Sequence, residues 1–171
     1  MPPAGIAIRS KAFTWDYLCI FIYLFFVFLL SMVLIPRLQN FFNGPVDIAQ
    51  LTGFLLVTFP ISLYFAVADS NIFNGTFGKK RAGIQVVDVQ GKPVVLLRSL
   101  FRIILKFLPW ELSHFLIYRL MHLGEDQFPL HLMLIGGLIY FLMFAYILTA
   151  IFSKEKRSLY DRLSGTKVIR I

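Results

Sequence analysis

Arg9 and Asp16 stand seven positions apart where a long apolar run begins. Seven residues make two helical turns, so both side chains share a face if one helix carries them. An aspartate just inside an apolar span either forms an anchoring ion pair with a nearby lysine or arginine, or binds a proton or cation in a wet cavity. Glu111, His114 and Tyr118, spaced three and four apart, share another helical face. A carboxylate beside an imidazole can relay protons, and the same pair also suits a half-wet interfacial helix. A third candidate, "GTFGKKRAG" at 75–83, looks like a phosphate loop. A nucleotide loop needs G-x-x-x-x-G-K-[ST]; here Gly75 and Gly78 are too close, and Lys80 stands where a hydroxyl should follow. His122 and His131 read as loop or span-edge residues. The sequence holds no metal-ligand spacing and no nucleophile–base set, so neither an enzyme nor a cofactor or metal is expected.

The elements that must position these groups are apolar. Of 171 residues, 58% are hydrophobic and 19 are Phe, with a mean hydropathy of +0.75, against roughly 45–50% apolar in a soluble domain. The excess lies in blocks: 17–35, 48–68 and 132–152 carry no charged residue. Runs of about 20 apolar residues read as membrane spans. The formal charge of +8 then serves as anchoring charge beside anionic inner-leaflet lipid, with no nucleic acid needed. The single cysteine, Cys19, cannot form an intrachain disulfide. The first apolar run is too long for a signal peptide and lacks a small-x-small exit, so it reads as an anchor.

Counting lysine and arginine orients the chain. The N-terminus, the segment 69–98 and the tail 153–171 are basic, whereas 36–47 is neutral and "HLGEDQF" carries Glu125 and Asp126. Three basic segments on one side require an even number of crossings. The expected architecture is an all-α four-helix transmembrane bundle forming one domain over 1–171, with spans at 12–35, 48–68, 103–121 and 132–152 in the cell membrane. Both termini face the cytoplasm and Glu125 faces outside. Pro60 and Pro109 should bend their spans. Arg98, Arg102 and Lys106 form a basic stripe, which leaves a second placement for the third segment, flat in the interface. A small cytoplasmic β-hairpin is expected at 84–97, turning at Gly91. The tail "SGTKVIRI" is similar to "AGIQVVDV" when Gly165 is set on Gly83. The two should pair as one sheet, with Asp88 near Arg170.

Three stretches together carry a resemblance. "RSKAFTWD" (9–16) resembles the R-x-x-A-x-x-x-D opening of the RDD family of membrane proteins. "GTFGKKRAGIQVVDVQGKP" is similar to that family's [TS]-x-G-K-[RK]-x-x-G-[IL]-x-V-V-[DN] segment, and "SLYDRLSGTKVIR" to its closing D-x-x-[AS]-G-T-x-V. The resemblance places the family's arginine and two aspartates on Arg9, Asp16 and Asp161, and implies membrane transport with no settled ligand. Glu111 and His114 match no family motif. The expected site is a cluster of Arg9, Asp16, Asp161 and Lys80 or Arg81 at the inner mouth, with Asp16 salt-bridged to Arg9, Lys79, Lys80 or Arg81. It would serve a small transporter or ion-coupled exchanger that works through the embedded aspartate and forms homo-oligomers. The alternative is a non-transporting partner that regulates or scaffolds another membrane protein.

Overall fold

The computed structural model describes residues 1–123 and 129–171; Glu125 and Asp126 lie outside the described residues. Helix α1 (Ile6–Leu29) continues through a π turn, Leu30–Leu34, into one rod. It buries Ala12, Asp16 and Val27 and exposes Phe21, Ile22, Phe25 and Phe26. In water that exposure would be an aggregation liability; against lipid tails it is the solvent-facing side. A short α2 (Leu38–Phe42) leads to α3 (Val46–Gly53), a second π turn (Phe54–Thr58) and α4 (Phe59–Ala68), which form a second continuous rod. The five-residue α5 (Phe77–Arg81) precedes strand β1 (Ile84–Asp88). Helices α6 (Leu96–Leu120) and α7 (Leu130–Phe152) follow, then another five-residue helix, α8 (Leu159–Leu163), and strand β2 (Thr166–Arg170). Among the described residues, three rods are long and apolar enough to cross a membrane: Ile6–Leu34, Val46–Ala68 and Leu130–Phe152. α6 packs between α4 and α7.

The two interior prolines show how lipid-bound helices repair their backbones. Pro60 has no N–H for the carbonyl of Leu56, four residues back, and the Tyr23 hydroxyl of α1 donates to that carbonyl at 2.7 Å. Pro109 likewise leaves the Leu105 carbonyl free, and the Tyr146 hydroxyl of α7 donates to it at 2.6 Å. Each proline thus becomes a polar tie between neighbouring helices.

β1 and β2 form a two-stranded antiparallel sheet. Residues 2–4 join it through Ala4 N–H to the Val168 carbonyl and Arg170 N–H to the Pro2 carbonyl. The start of α1, the end of α4, the start of α6 and the end of α7 are therefore gathered at one end of the molecule. Ala4, Ala12, Ile84, Val86, Val94 and Val168 form a small apolar core there.

Two helices run past the expected spans: α1 begins at Ile6, so Arg9 and Asp16 lie on one helix, and α6 begins at Leu96 and takes in the basic stripe. Two expectations need correction. The hairpin over 84–97 shrinks to one bridge, Val87 with Pro93: Pro93 cannot donate to a ladder, and the chain then turns into α6. The turn itself is kept, with Gly91 at φ +87°. The strands pair as expected, but antiparallel register sets Asp88 opposite Thr166 and Arg170 opposite Ile84, not Asp88 beside Arg170.

Candidate functional site

Arg102, two turns into α6, is only 2% exposed and links two buried aspartates. Its Nε donates to Asp161 Oδ1 at 2.9 Å, its Nη2 lies 2.8 Å from the same oxygen, and its Nη1 donates to Asp69 Oδ2 at 3.0 Å. Each aspartate is aimed by its local structure. Asp161 is the third residue of α8 and completes a capping box with Ser158, accepting the Ser158 N–H at 3.3 Å. Asp69 follows the last turn of α4. Each also has a second cation: Arg9 Nη1 reaches Asp161 Oδ2 at 2.8 Å, and Lys79 Nζ reaches both oxygens of Asp69 at 2.5 Å. Burial opposes ionisation of Asp161, but Arg102 and Arg9 outweigh it and hold the carboxyl below the ordinary carboxylate range. At Lys79 burial prevails and lowers the ammonium from the usual lysine range, with Asp69 opposing.

Asp16 is held differently. It is 1% exposed and accepts the Thr76 hydroxyl at 2.6 Å and the Gly78 N–H at 2.7 Å. Thr76 caps α5, its hydroxyl accepting the Lys79 N–H at 3.3 Å. Asp16 forms no salt bridge among the described residues, which corrects the expected ion pair. The physical reason lies in where the cations go. Arg9 turns to Asp161 and Lys79 to Asp69, Arg81 stacks 4.1 Å over Trp15, and Lys80 sits 5.9 Å over Phe73. The backbone and hydroxyl donors of α5 solvate Asp16 in their place.

A cavity of about 260 Å³ is lined by Arg9, Asp16, Lys79, Arg102 and Lys106, among others. The expected cluster is thus recomposed. Arg9 and Asp161 pair, Asp16 lines the same cavity as Arg9, and Lys80 and Arg81 lie elsewhere. Glu111 and His114 approach to 3.8 Å beside a separate cavity of about 80 Å³ near Gln50, Gly53 and Tyr118. Glu111 Oε2 is buried there without a hydrogen-bond partner, and this pair is not joined to the Arg102 cluster. Among the described residues no group of side chains has metal-ligating geometry.

A family model described as the RDD family matches residues 3–165, nearly the whole chain. The chain belongs to the RDD family. Neither a curated protein nor a solved structure matches it. In this RDD protein, Asp69, Lys79, Thr76 and Arg102 join the three residues placed by motif. Arg102 is masked in the sequence by its place in the basic stripe, although an arginine on a long apolar helix needs a buried counter-charge. Asp69, at the end of an uncharged run, is the nearest carboxylate on the N-terminal side of the basic triplet at 79–81. The Thr76 and Gly78 contacts left no comparable mark.

Proposed function

We propose that this RDD membrane protein is a small ion-coupled transporter in which Asp16 takes up and releases a proton or small cation. One observation carries the reading: of the three buried carboxylates in the cluster, Asp16 alone lacks a fixed cation. Asp69 and Asp161 are neutralised in place by Lys79, Arg102 and Arg9. Asp16 is oriented by two neutral donors and lines the cavity. A carboxylate so held can exchange its counter-ion without first breaking a salt bridge. Proton loss and gain at one side chain, with no bond made or broken in a substrate, describes transport rather than an enzyme, and it needs no cofactor.

In this reading the protein spans the cell membrane four times, α6 being the third crossing. Three observations support that. α6 starts at the sheet end and packs on two apolar rods. Its 25 residues extend about 37 Å at 1.5 Å per residue, enough for a hydrocarbon core of about 30 Å. Arg119, near its far end, reaches Gln50 at 2.6 Å and Asp47 at 3.2 Å, beside the start of α3. The sheet end, with both termini, faces the cytoplasm. Cysteines for labelling belong at exposed Asn43, Lys92 and Lys154 in a Cys19→Ala background. An impermeant thiol reagent should label Asn43→Cys on intact cells, and Lys92→Cys and Lys154→Cys only after permeabilisation. The reverse pattern would invert the topology.

Flux tests the function. Liposomes containing the purified protein should dissipate a proton gradient in exchange for sodium or potassium, and Asp16→Asn should lower the rate at least ten-fold. Asparagine keeps an acceptor for Gly78, and the Thr76 hydroxyl can turn to accept from its amide. The stability loss should therefore stay below the roughly 1.5–3 kcal/mol of a charge-assisted hydrogen bond. A folded, fully active Asp16→Asn protein would remove Asp16 from the mechanism. A second reading, a non-transporting partner docking another membrane protein, draws on exposed Arg162, Leu163 and Arg170 at the sheet end. Wild-type protein that is folded but passes no proton, sodium or potassium would favour it.

A further inference from the structure

We infer that the cleft between α1 and α7 seats a phosphate oxyanion, either the headgroup phosphate of an anionic lipid or free inorganic phosphate, against Arg9 and Lys106. Two donors facing this cavity have no acceptor. Arg9 uses Nη1 on Asp161 and Nε on the Ala4 carbonyl at 3.0 Å, while its Nη2 is buried without a partner. Lys106 takes part in no ion pair or hydrogen bond among the described residues. Its Nζ instead sits over ring faces, 4.4 Å from the centre of Phe65 and 5.4 Å from that of Phe107. Ring faces attract an ammonium only weakly compared with an anion.

Charge balance points the same way. Counted in their ionised forms, Arg9, Lys79, Arg102 and Lys106 face Asp16, Asp69 and Asp161, which leaves one positive charge in excess. A single phosphodiester charge would neutralise it, and its non-bridging oxygens could accept from both free donors. The cavity of about 260 Å³ has room for a tetrahedral oxyanion. α1 makes its main contacts with α5, and α7 with α6 and α8, so the α1 and α7 walls of the cavity are not closed on each other. Of the exposed residues lining the cavity, Ile6, Phe13 and Ile147 are apolar, each 40–49% exposed, and Ser10 is polar. Such an edge suits acyl chains below a headgroup better than it suits an ion arriving from water.

The site does not depend on whether Asp16 carries ions, because binding is read without flux. The full chain in detergent would be titrated in three arms: dioleoyl phosphatidylglycerol, dioleoyl phosphatidylcholine and inorganic phosphate. Thermal unfolding and native mass spectrometry provide the readouts. Phosphatidylglycerol should raise the melting temperature and stay bound as a single adduct, with phosphatidylcholine at least ten-fold weaker. Lys106→Gln should bind phosphatidylglycerol at least ten-fold more weakly, and Lys106→Arg should keep most of the affinity. If inorganic phosphate gives the saturable, Lys106-dependent shift and the lipid does not, the oxyanion site stands with a free ion as its occupant. Binding by neither, or equal phosphatidylglycerol binding by wild type and Lys106→Gln, overturns it. Should Lys106→Gln fail to fold, a folded Lys106→Arg that retains no lipid or phosphate overturns it equally.

Discussion

Arg102→Ala is expected to cause one of the largest single-residue losses of stability in this protein. The guanidinium makes three charge-assisted contacts to Asp69 and Asp161, and all three groups are nearly water-free. Its removal leaves two buried carboxylates with one cation each, Lys79 and Arg9. Breaking a buried ion pair by deleting one partner costs about 3–5 kcal/mol. A domain of this size loses roughly 2–4 °C of melting temperature per kcal/mol, so a fall of about 6–20 °C in detergent is expected. Much of that could exceed the margin for recovering monodisperse protein, since total stabilities run only about 5–15 kcal/mol. Lysine is no substitute: one ammonium cannot present the planar fork that meets two carboxylates from different helices. Arg102→Lys should therefore fall between wild type and alanine. An Arg102→Ala protein that melts within two or three degrees of wild type would show that the bridge contributes little net stability.

The same cluster shows what the sequence made legible and what it hid. Arg9 and Asp16 stood out because they are charged residues at the head of an otherwise apolar segment, and the structure does place both on one buried helix face. Pairing of the two late strands was readable from a repeated local pattern. Thr76 and Ser158 each begin a five-residue helix, and Gly83 and Gly165 end it at φ +64° and +65° before a strand. Each glycine supplies a left-handed turn that a side chain would strain. Strand direction was not readable, because aligning two similar strings implies nothing about how they run in space. Asp88 was placed wrongly for that reason. Arg102 was hidden by periodicity: Arg98, Arg102 and Lys106 share a four-residue spacing that reads as a wet stripe. Spacing fixes the face of a helix but not its depth. Only Arg102 is buried; Arg98 stays exposed, 3.9 Å from Asp88. The choice among Lys79, Lys80 and Arg81 was hidden as well, since a short helix turns consecutive residues in different directions and only Lys79 faces Asp69.

Gly78→Ala should be nearly as damaging as the loss of Arg102, for a steric reason. A methyl group at Gly78 would lie 2.0 Å from the Ala12 carbonyl oxygen and 2.8 Å from Asp16 Cγ. The first obstacle is the backbone of α1, which cannot yield without breaking its own helix, so α5 must move away. That movement lengthens the 2.7 Å bond from Gly78 N–H to Asp16. Overpacking costs typically about 1–3 kcal/mol, and a lost hydrogen bond to a charged group about 1.5–3 kcal/mol. The two combine here because one displacement causes both. Gly137 provides the control. It lies inside α7, and a methyl group there would have nothing within 4 Å, so the close helix approach that a paired Gly136 and Gly137 would permit is not used there. Alanine at 137 should be neutral or stabilising, as glycine in a helix interior costs about 0.8–1.0 kcal/mol relative to alanine. Thermal unfolding of both variants decides the matter, and a Gly78→Ala protein as stable as Gly137→Ala would mean that α5 does not dock on α1 as closely as described. If Gly78→Ala folds with a lowered melting temperature, its flux tests the proposed role of Asp16: moving α5 from α1 draws away both Gly78 and Thr76, the cap of that helix, and any ion exchange carried by Asp16 should weaken along with stability.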